Sequence, residues 1–330
     1  MAYIDGLFSL EVVCYNHEKY IEDALQSVLA QTYENIEVII CDDFSKDRTW
    51  EIIQSFVPKL QRRFGRVVAF QNPSNLGVTS SYNKLVEKTT GSVVFVLSGD
   101  DMMEENYVAE IMQAFKEHPE ASVVVSNGYQ VEEQVRYSGL ANASLDLWYK
   151  KIPDFNKETL FERIYWQNCV FAPGTSVKRI VYDVFGFYDT DIGIEDLEYW
   201  LRISRTKEIE FAYIDKPLIF YRKNPNSVSS QEKNETYVER NKSYLLECDK
   251  ILEKYAPYVG KELYISRKWE SLQREWIFYR TCIAKEEIKL LREKLYPFIK
   301  ENWHTLGWKQ LVNYYRMYIN ALFNKMHEGE

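Results

Sequence analysis

Through the first 130 residues, short apolar runs rich in β-branched side chains alternate with longer stretches of helical spacing. Runs that are apolar on both faces suit the interior of a parallel sheet, and the helical stretches between them suit crossover helices. The runs are Leu10–Tyr15, Ile36–Cys41, Val67–Gln71, Val93–Leu97 and Ser122–Ser126. Between the first two, Lys19–Gln31 places Ile21, Ala24, Leu25, Val28 and Leu29 on one stripe, with Glu22 and Asp23 near the positive end of the helix. Thr49–Phe64 and Ser80–Thr89 predict the next two crossover helices. Ser45 and Asp47 are capping candidates for the first of these, and Pro58 predicts a kink or an end within it.

The pattern loosens over residues 127–180, and Arg136–Lys157 mixes polar, aromatic and Pro residues as a loop over a site would. The stretch DLEYWLRIS after Glu195 is helical; Phe211–Ile214 and Leu218–Tyr221 predict two short strands either side of Asp215-Lys216-Pro217. From about Thr236 onward every pattern is helical. The fold class expected is therefore α/β: a mixed, mostly parallel sheet flanked by helices, with a C-terminal helical extension. Residues 1–230 would form the sheet domain, divided near 130, and residues 231–330 the helical region.

Charge narrows the partners. A formal net charge of -8 supplies no basic field for a phosphate backbone, so nucleic acid is excluded as a partner. Residues 231–330 carry 18 Lys/Arg against 15 Asp/Glu, which leaves -11 on the first 230 and makes the tail a different surface. Cys14, Cys41, Cys169, Cys248 and Cys282 include no CxxC pair and read as reduced core thiols. No run approaches the roughly 18 apolar residues of a membrane span, and MAYIDGLFSLEVV lacks the marks of an export peptide, so a cytoplasmic location is expected.

In an open α/β sheet, ligands bind beyond the carboxyl ends of the strands. Here those ends read Tyr15-Asn16-His17-Glu18, Asp42-Asp43 and Ser98-Gly99-Asp100-Asp101. Four aspartates gathered at one edge repel one another unless a cation or a donor-rich ligand lies among them. Hard carboxylate oxygens suit Mg²⁺ or Mn²⁺, which are often held by one or two carboxylates with phosphate oxygens completing the shell. The alternative is that each Asp-Asp pair caps the helix that follows it.

The stretches YNHEKYIEDALQSVLAQTYENIEVIICDDFSKDRTWEII and NPSNLGVTSSYNKLVEKTTGSVVFVLSGDD resemble the donor half of family 2 glycosyltransferases with the GT-A fold. The likeness covers residues 8–130 closely and continues through PGTSVKR at 173–179, FGFYD at 185–189, IEDLEYWLR at 194–202 and YRKNPNSVS at 221–229. It implies transfer of a sugar from a nucleotide diphosphate, most often uridine diphosphate, to an acceptor hydroxyl with inversion. Residues 1–130 would be the donor-binding half and 131–230 the acceptor-binding half. By this resemblance Tyr15 lies against the base, Asp43 meets its imino edge, Asp100 meets the ribose and Asp101 holds the metal that bridges the diphosphate. Glu18, Asn75 and Gly77 join the donor side. Three positions depart from the usual pattern: Ser98 replaces an Asp, Tyr82 a donor-binding Arg, and Asn224 a metal-linked His.

The family takes its general base from the second acid of a pair, which here gives Asp196 with Glu195 as its neighbour. Without that likeness, two acids at the start of a helix would be read as complementing the macrodipole. Trp166, Phe171, Tyr188 and Trp200 are candidate walls for the acceptor, since sugars present apolar faces to aromatic rings, although each such ring also suits a core. The acceptor would be a glycan on a lipid carrier or on a protein. Trp269, Trp276, Trp303, Trp308 and Tyr314-Tyr315-Arg316-Met317-Tyr318 give the tail amphipathic helices for a homodimer contact or for a peripheral one at the inner face of the cell membrane. Glu286, Glu287 and Glu293 favour the former.

Competing readings lack their motifs. A dinucleotide oxidoreductase needs GxGxxG where this chain has YNHEKY, and no GxxxxGK[ST] marks a P-loop. A non-catalytic nucleotide-sugar binder would keep the aspartate pairs and could dispense with Asp196.

Overall fold

The computed structural model of the chain describes residues 3–224, 237–281, 285–307, 310, 311 and 313. It comprises two compact units, residues 1–232 and 233–330. The expected division at residue 230 falls outside the described residues, as do Cys282, Trp308, Tyr314–Tyr318 and the end of YRKNPNSVS. The side chains of Trp276, Glu286 and Glu287 are likewise outside them.

In the first unit the strands are β1 (Ile4–Cys14), β2 (Ile36–Asp42), β3 (Arg66–Gln71), β4 (Gly91–Ser98), β5 (Met102–Met103), β6 (Ala121–Glu132), β7 (Asp146–Leu147), β8 (Thr175–Lys178) and β9 (Glu210–Lys223). The helices are α1 (Ile21–Leu29), α2 (Thr49–Arg63), α3 (Val78–Val86), α4 (Tyr107–Glu117), α5 (Leu160–Trp166), α6 (Ile180–Phe185) and α7 (Glu195–Ser204). The sheet runs β3-β2-β1-β4-β8-β6-β9-β5, with β7 added to β6. The pairs of β1 with β2 and β4, of β2 with β3 and of β6 with β9 are parallel; β8 enters antiparallel between β4 and β6.

Burial explains these elements. Every residue of β2 is buried, as a strand covered on both faces requires. On α1 the predicted stripe of Ile21, Ala24, Leu25 and Val28 faces the core. Pro58 lies inside α2 without ending it. Where two strands flanking Asp215-Lys216-Pro217 were expected, one strand, β9, runs from Glu210 to Lys223. Its pairing with β6 slips from Ser126 opposite Ile214 to Asn127 opposite Pro217, so Asp215 and Lys216 bulge out of register. The segment from Arg136 onward is more ordered than a free loop. Tyr137, Leu140 and Leu145 pack against Met102, Val131 and Phe220, and Asp146–Leu147 pairs with β6.

The second unit contains α8 (Tyr237–Tyr255), α9 (Lys261–Thr281) and α10 (Lys285–Asn302). Ile265, Trp269 and Leu272 of α9 form a core with Leu295, Ile299 and Leu306. Trp269 thus serves its own unit, while Trp303 is exposed. Cys14, Cys41, Cys169 and Cys248 are free thiols, as expected.

Candidate active site

Register brings the strand ends into line. Cys14 of β1 lies beside Asp42 of β2, and Val13 lies beside Ser98 of β4. The main chain carries this alignment one step further: the Asp43 amide donates to the Cys14 carbonyl (2.8 Å) and the Gly99 amide to the Val13 carbonyl (2.8 Å). Three loops therefore begin at one edge of the sheet.

The loops after β1 and β2 are zipped together. The Asn16 amide donates to Ser45 Oγ (2.8 Å), the Lys46 amide to Asn16 Oδ1 (2.8 Å), and the His17 amide to Thr49 Oγ1 (2.8 Å). Glu18 accepts from the Arg48 amide at 3.1 Å, so its carboxylate braces this junction. Arg48 is the N-cap of α2 and no side chain caps it; Asp47, one residue earlier, accepts from the Thr49 amide at 3.0 Å, and Ser45, the other capping candidate, donates its hydroxyl to Asp42. Tyr15 stands at this mouth with its ring 41% exposed, free to meet a planar ligand.

The aspartates do not form the single cluster anticipated from the sequence. Asp42 is fully buried and bonded by Ser45 and by Gln71 Nε2 (2.7 Å). Asp43, also buried, accepts from Asn72 Nδ2 (2.9 Å) and from the amides of Leu76 (2.8 Å) and Gly77 (2.9 Å). It thereby fixes the loop carrying Asn75 and Gly77. Asn75 Oδ1 accepts from the Gly77 amide (3.1 Å), and Gly77 enters α3 with φ 84°, a left-handed conformation that suits glycine. Backbone and side-chain donors together thus bond both carboxylates of the Asp42–Asp43 pair. Among the described residues no group of three or more His, Cys, Asp or Glu side chains is arranged to hold a metal by itself.

Asp100 and Asp101 present a different case. Asp100 accepts from Ser98 Oγ (2.5 Å) and Asn224 Nδ2 (3.1 Å), and Asp101 from the Arg222 amide (2.9 Å). Burial, and then the charge of Asp100, push the Asp101 carboxyl well above its ordinary range, against the pull of the Arg222 amide and side chain. Among the described residues no Lys or Arg side chain is ion-paired with either carboxylate. Two adjacent acids with no Lys or Arg bonded to their carboxylates, and His17 Nε2 3.9 Å from Asp100, fit a divalent ion whose remaining ligands are phosphate oxygens or water. Asn224 touches this site through Asp100.

Two residues that sequence inspection overlooked hold the turn in place. Arg222, 1% exposed, donates from Nε to the Asp100 carbonyl (2.8 Å), from Nη1 to the Glu133 (2.8 Å) and Val135 carbonyls, and from Nη2 to Asp23 (3.2 Å). Gly99 lies under His17. A Cβ there would sit 2.7 Å from Cys14 Cβ and 2.8 Å from His17 Nδ1. Gly99→Ala is accordingly expected to lower the urea midpoint by the equivalent of about 1–3 kcal/mol, the usual cost of overpacking, and to weaken nucleotide binding; an unchanged midpoint would show that both the strand end at Cys14 and His17 give way freely.

The acids opposite lie on α7. Glu195 and Asp196 open the helix partly buried, while Tyr199, Trp200, Leu201 and Ile203 anchor it in the core. Asn168 Nδ2 donates to Asp196 Oδ2 (3.2 Å). Both carboxyls are raised, Asp196 by burial and Glu195 by burial and the charge of Asp196. Tyr82 of α3 links the two halves: its phenol lies within electrostatic reach of Glu195, Asp196, Asp101 and Asp100 alike, and its ring packs against Tyr188 with centroids 5.6 Å apart.

The proposed aromatic walls divide. Trp200 (3% exposed), Tyr188 (8%) and Phe171 (1%) are core, so they can present little surface to a sugar. Trp166 is 40% exposed. Trp148, which the sequence did not single out, is 38% exposed and stacks on Phe171 at 4.6 Å.

The family described as Glycosyl transferase family 2 matches residues 9–183. Among curated relatives, Glycosyltransferase GlyA of Streptococcus pneumoniae is 27% identical over 49% of this chain, which spans only 22% of its length. The UDP-Glc:alpha-D-GlcNAc-diphosphoundecaprenol beta-1,3-glucosyltransferase WfaP of Escherichia coli is 26% identical over 71% of this chain and 84% of its own. Among solved structures, S. aureus TarS 1-349 in complex with UDP-GlcNAc superposes with a TM-score of 0.54 at 17% identity, covering 90% of this chain and 91% of that one. The mannosyltransferase PcManGT from Pyrobaculum calidifontis, in complex with GDP-Man and Mn2+, gives 0.54 at 14% identity over 96% and 87%. These structural likenesses support the GT-A fold.

Proposed function

The chain belongs to glycosyl transferase family 2, and on that premise we propose that it transfers a sugar from a uridine diphosphate donor to an acceptor hydroxyl, with inversion and with Asp196 as general base. One observation carries this reading. The Tyr82 phenol is pushed well above its ordinary range by burial and then by the charges of both acid pairs, Glu195 and Asp196 at the start of α7 and Asp101 and Asp100 after β4, and its ring packs against Tyr188 on the approach to α7, which supports a donor held near one pair facing the other.

Tyr15 would cover the base, and the loop braced by Asp43 would border it. Asp100 would meet the ribose, while Asp101 would hold a divalent ion, Mn²⁺ or Mg²⁺, whose charge favours departure of the nucleotide diphosphate. The Mn²⁺ bound by PcManGT is consistent with this choice. A carboxylate at Asp196, oriented by Asn168, would take the proton of the attacking hydroxyl, and Glu195 would orient or bind the acceptor. Direct displacement of this kind inverts the anomeric carbon. The names of WfaP and TarS support a UDP-sugar. That of WfaP also supports a sugar on a lipid diphosphate as acceptor, in cell-surface glycan synthesis. Such an acceptor would be met at the inner face of the cell membrane. No described helix is long and apolar enough to cross one. Peripheral contact there would use exposed residues such as Ile277, Tyr296 and Trp303, unless these serve a second copy instead.

Melting midpoints measured with UDP, GDP and dTDP, each with and without Mn²⁺, test the donor side. At a hundred times its Kd a ligand adds about 2.7 kcal/mol to the native state, so UDP with Mn²⁺ is expected to give the largest rise. Equal rises without metal would remove Asp101 as its ligand, and no rise with any nucleotide would overturn the reading.

A further inference from the structure

We propose that Asn83, on α3, is a positioning residue that sets the acids of α7 against the donor. This rests on the assignment of Asp196 as base. Asn83 Nδ2 donates to the Tyr188 carbonyl (2.9 Å), and the Tyr188 amide donates to Asn83 Oδ1 (2.9 Å). One side-chain amide thus pairs with both main-chain groups of a residue 105 positions away, as a neighbouring strand would.

Tyr188 lies in the connection between α6 and α7, which has no sheet partner of its own. From the α7 side, Arg202 Nη1 takes the carbonyls of Phe185 and Phe187 (both 2.8 Å), and its Nη2 pairs with Glu198 (2.7 Å). From the α3 side the connection is held by Asn83 and by the packing of Tyr82 against the Tyr188 ring. The same α3 is tied to the donor edge. Gly77 at its start bonds Asp43, Ser81 accepts from Asn72 Nδ2 (3.0 Å), and Lys84 Nζ donates to Asn72 Oδ1 (3.0 Å). One nine-residue helix therefore grips the donor loop at one end and the approach to the base near its middle.

Magnitudes separate this role from a merely structural one. Two neutral hydrogen bonds contribute about 1–3 kcal/mol net, a loss the fold can survive. A displacement of about 1 Å between reacting groups, by contrast, costs on the order of 100-fold in rate. Only a carboxamide donates and accepts at this spacing. Aspartate would keep the bond from the Tyr188 amide and set a carboxylate against the Tyr188 carbonyl.

The test measures UDP release from UDP-glucose and UDP-N-acetylglucosamine by the full chain, comparing wild type, Asn83→Ala, Asn83→Asp and Asp196→Asn. The expected result for both Asn83 variants is a kcat lower by about 10- to 100-fold, with the donor KM and the UDP-induced rise in melting midpoint within twofold of wild type. A raised KM at unchanged kcat would assign Asn83 to the donor loop and overturn the proposal, and so would loss of folding in both variants. The control keeps the two ideas apart. If Asp196→Asn turns over normally, the base assignment fails; if it is inactive while Asn83→Ala matches wild type, only the positioning role fails.

Discussion

Asp196→Asn is expected to lower turnover of the nucleotide sugar by about 10²–10⁴-fold, the range over which a positioned general base acts. The substitution keeps shape and removes only proton affinity. The Asn168 contact at 3.2 Å can persist by rotation of the new amide, and α7 keeps its buried anchors, so donor binding and the folding midpoint should stay near wild type. The pH profile supplies a second check. A base works ionised, and burial raises the acid of Asp196, opposed by the Leu197 amide and the Asn168 side chain. Activity should therefore fall as pH drops through a limb above the ordinary aspartate value of about 3.9. Glu195 is raised too, by burial and by the charge of Asp196, so the limb belongs to the pair. Glu195→Gln should reduce it to one step. Unchanged turnover in Asp196→Asn would remove Asp196 as the base and place the proton transfer on another group.

The donor edge was legible because two local signals coincide there. Apolar runs fix where β1, β2 and β4 end, and acids follow at once, so Asp42-Asp43 and Asp100-Asp101 could be placed at one edge without coordinates. Local signals do not say what each acid touches. Asp43 was placed at the donor edge from its neighbours alone, and that it also braces Leu76 and Gly77 could not be read there. Asp23 looked like an ordinary acid in the first turn of a helix, yet it is buried against Arg222 and Arg136. Those partners lie more than a hundred residues away, beyond any periodicity. Aromatic residues pose the same difficulty. Trp166 and Trp200 read alike in sequence, and only tertiary packing exposes the first and encloses the second. The bulge at Asp215-Lys216 was mistaken for a turn because Asp, Lys and Pro interrupt a strand pattern whether the chain reverses or merely slips register.

Arg222→Met should be the most destabilising single change at this edge, by about 3–5 kcal/mol, the cost of removing one partner from a buried ion pair. Methionine fills similar space and supplies none of the five donors of a guanidinium. The carbonyls of Asp100, Glu133 and Val135 would each lose a bond. Asp23, 6% exposed, would keep only the half-exposed Arg136 at 3.3 Å and the Tyr137 amide at 3.0 Å. The Arg222 main-chain bond to Asp101 can survive, so the loss should fall chiefly on the position of Asp100, and UDP should bind more weakly as stability drops. Urea unfolding of the full chain, followed by the fluorescence of Trp50, Trp148, Trp166 and Trp200 in a background lacking the tryptophans of the second unit, would read the first unit separately. Adding Asp23→Asn to Arg222→Met should recover part of the loss, because it removes the stranded charge, with a coupling of about 0.5–3 kcal/mol as expected for residues in contact. If the double variant were instead as unstable as the two single losses added together, Asp23 and Arg222 would be acting independently, and the Asp100 turn would owe its position to the carbonyl contacts alone.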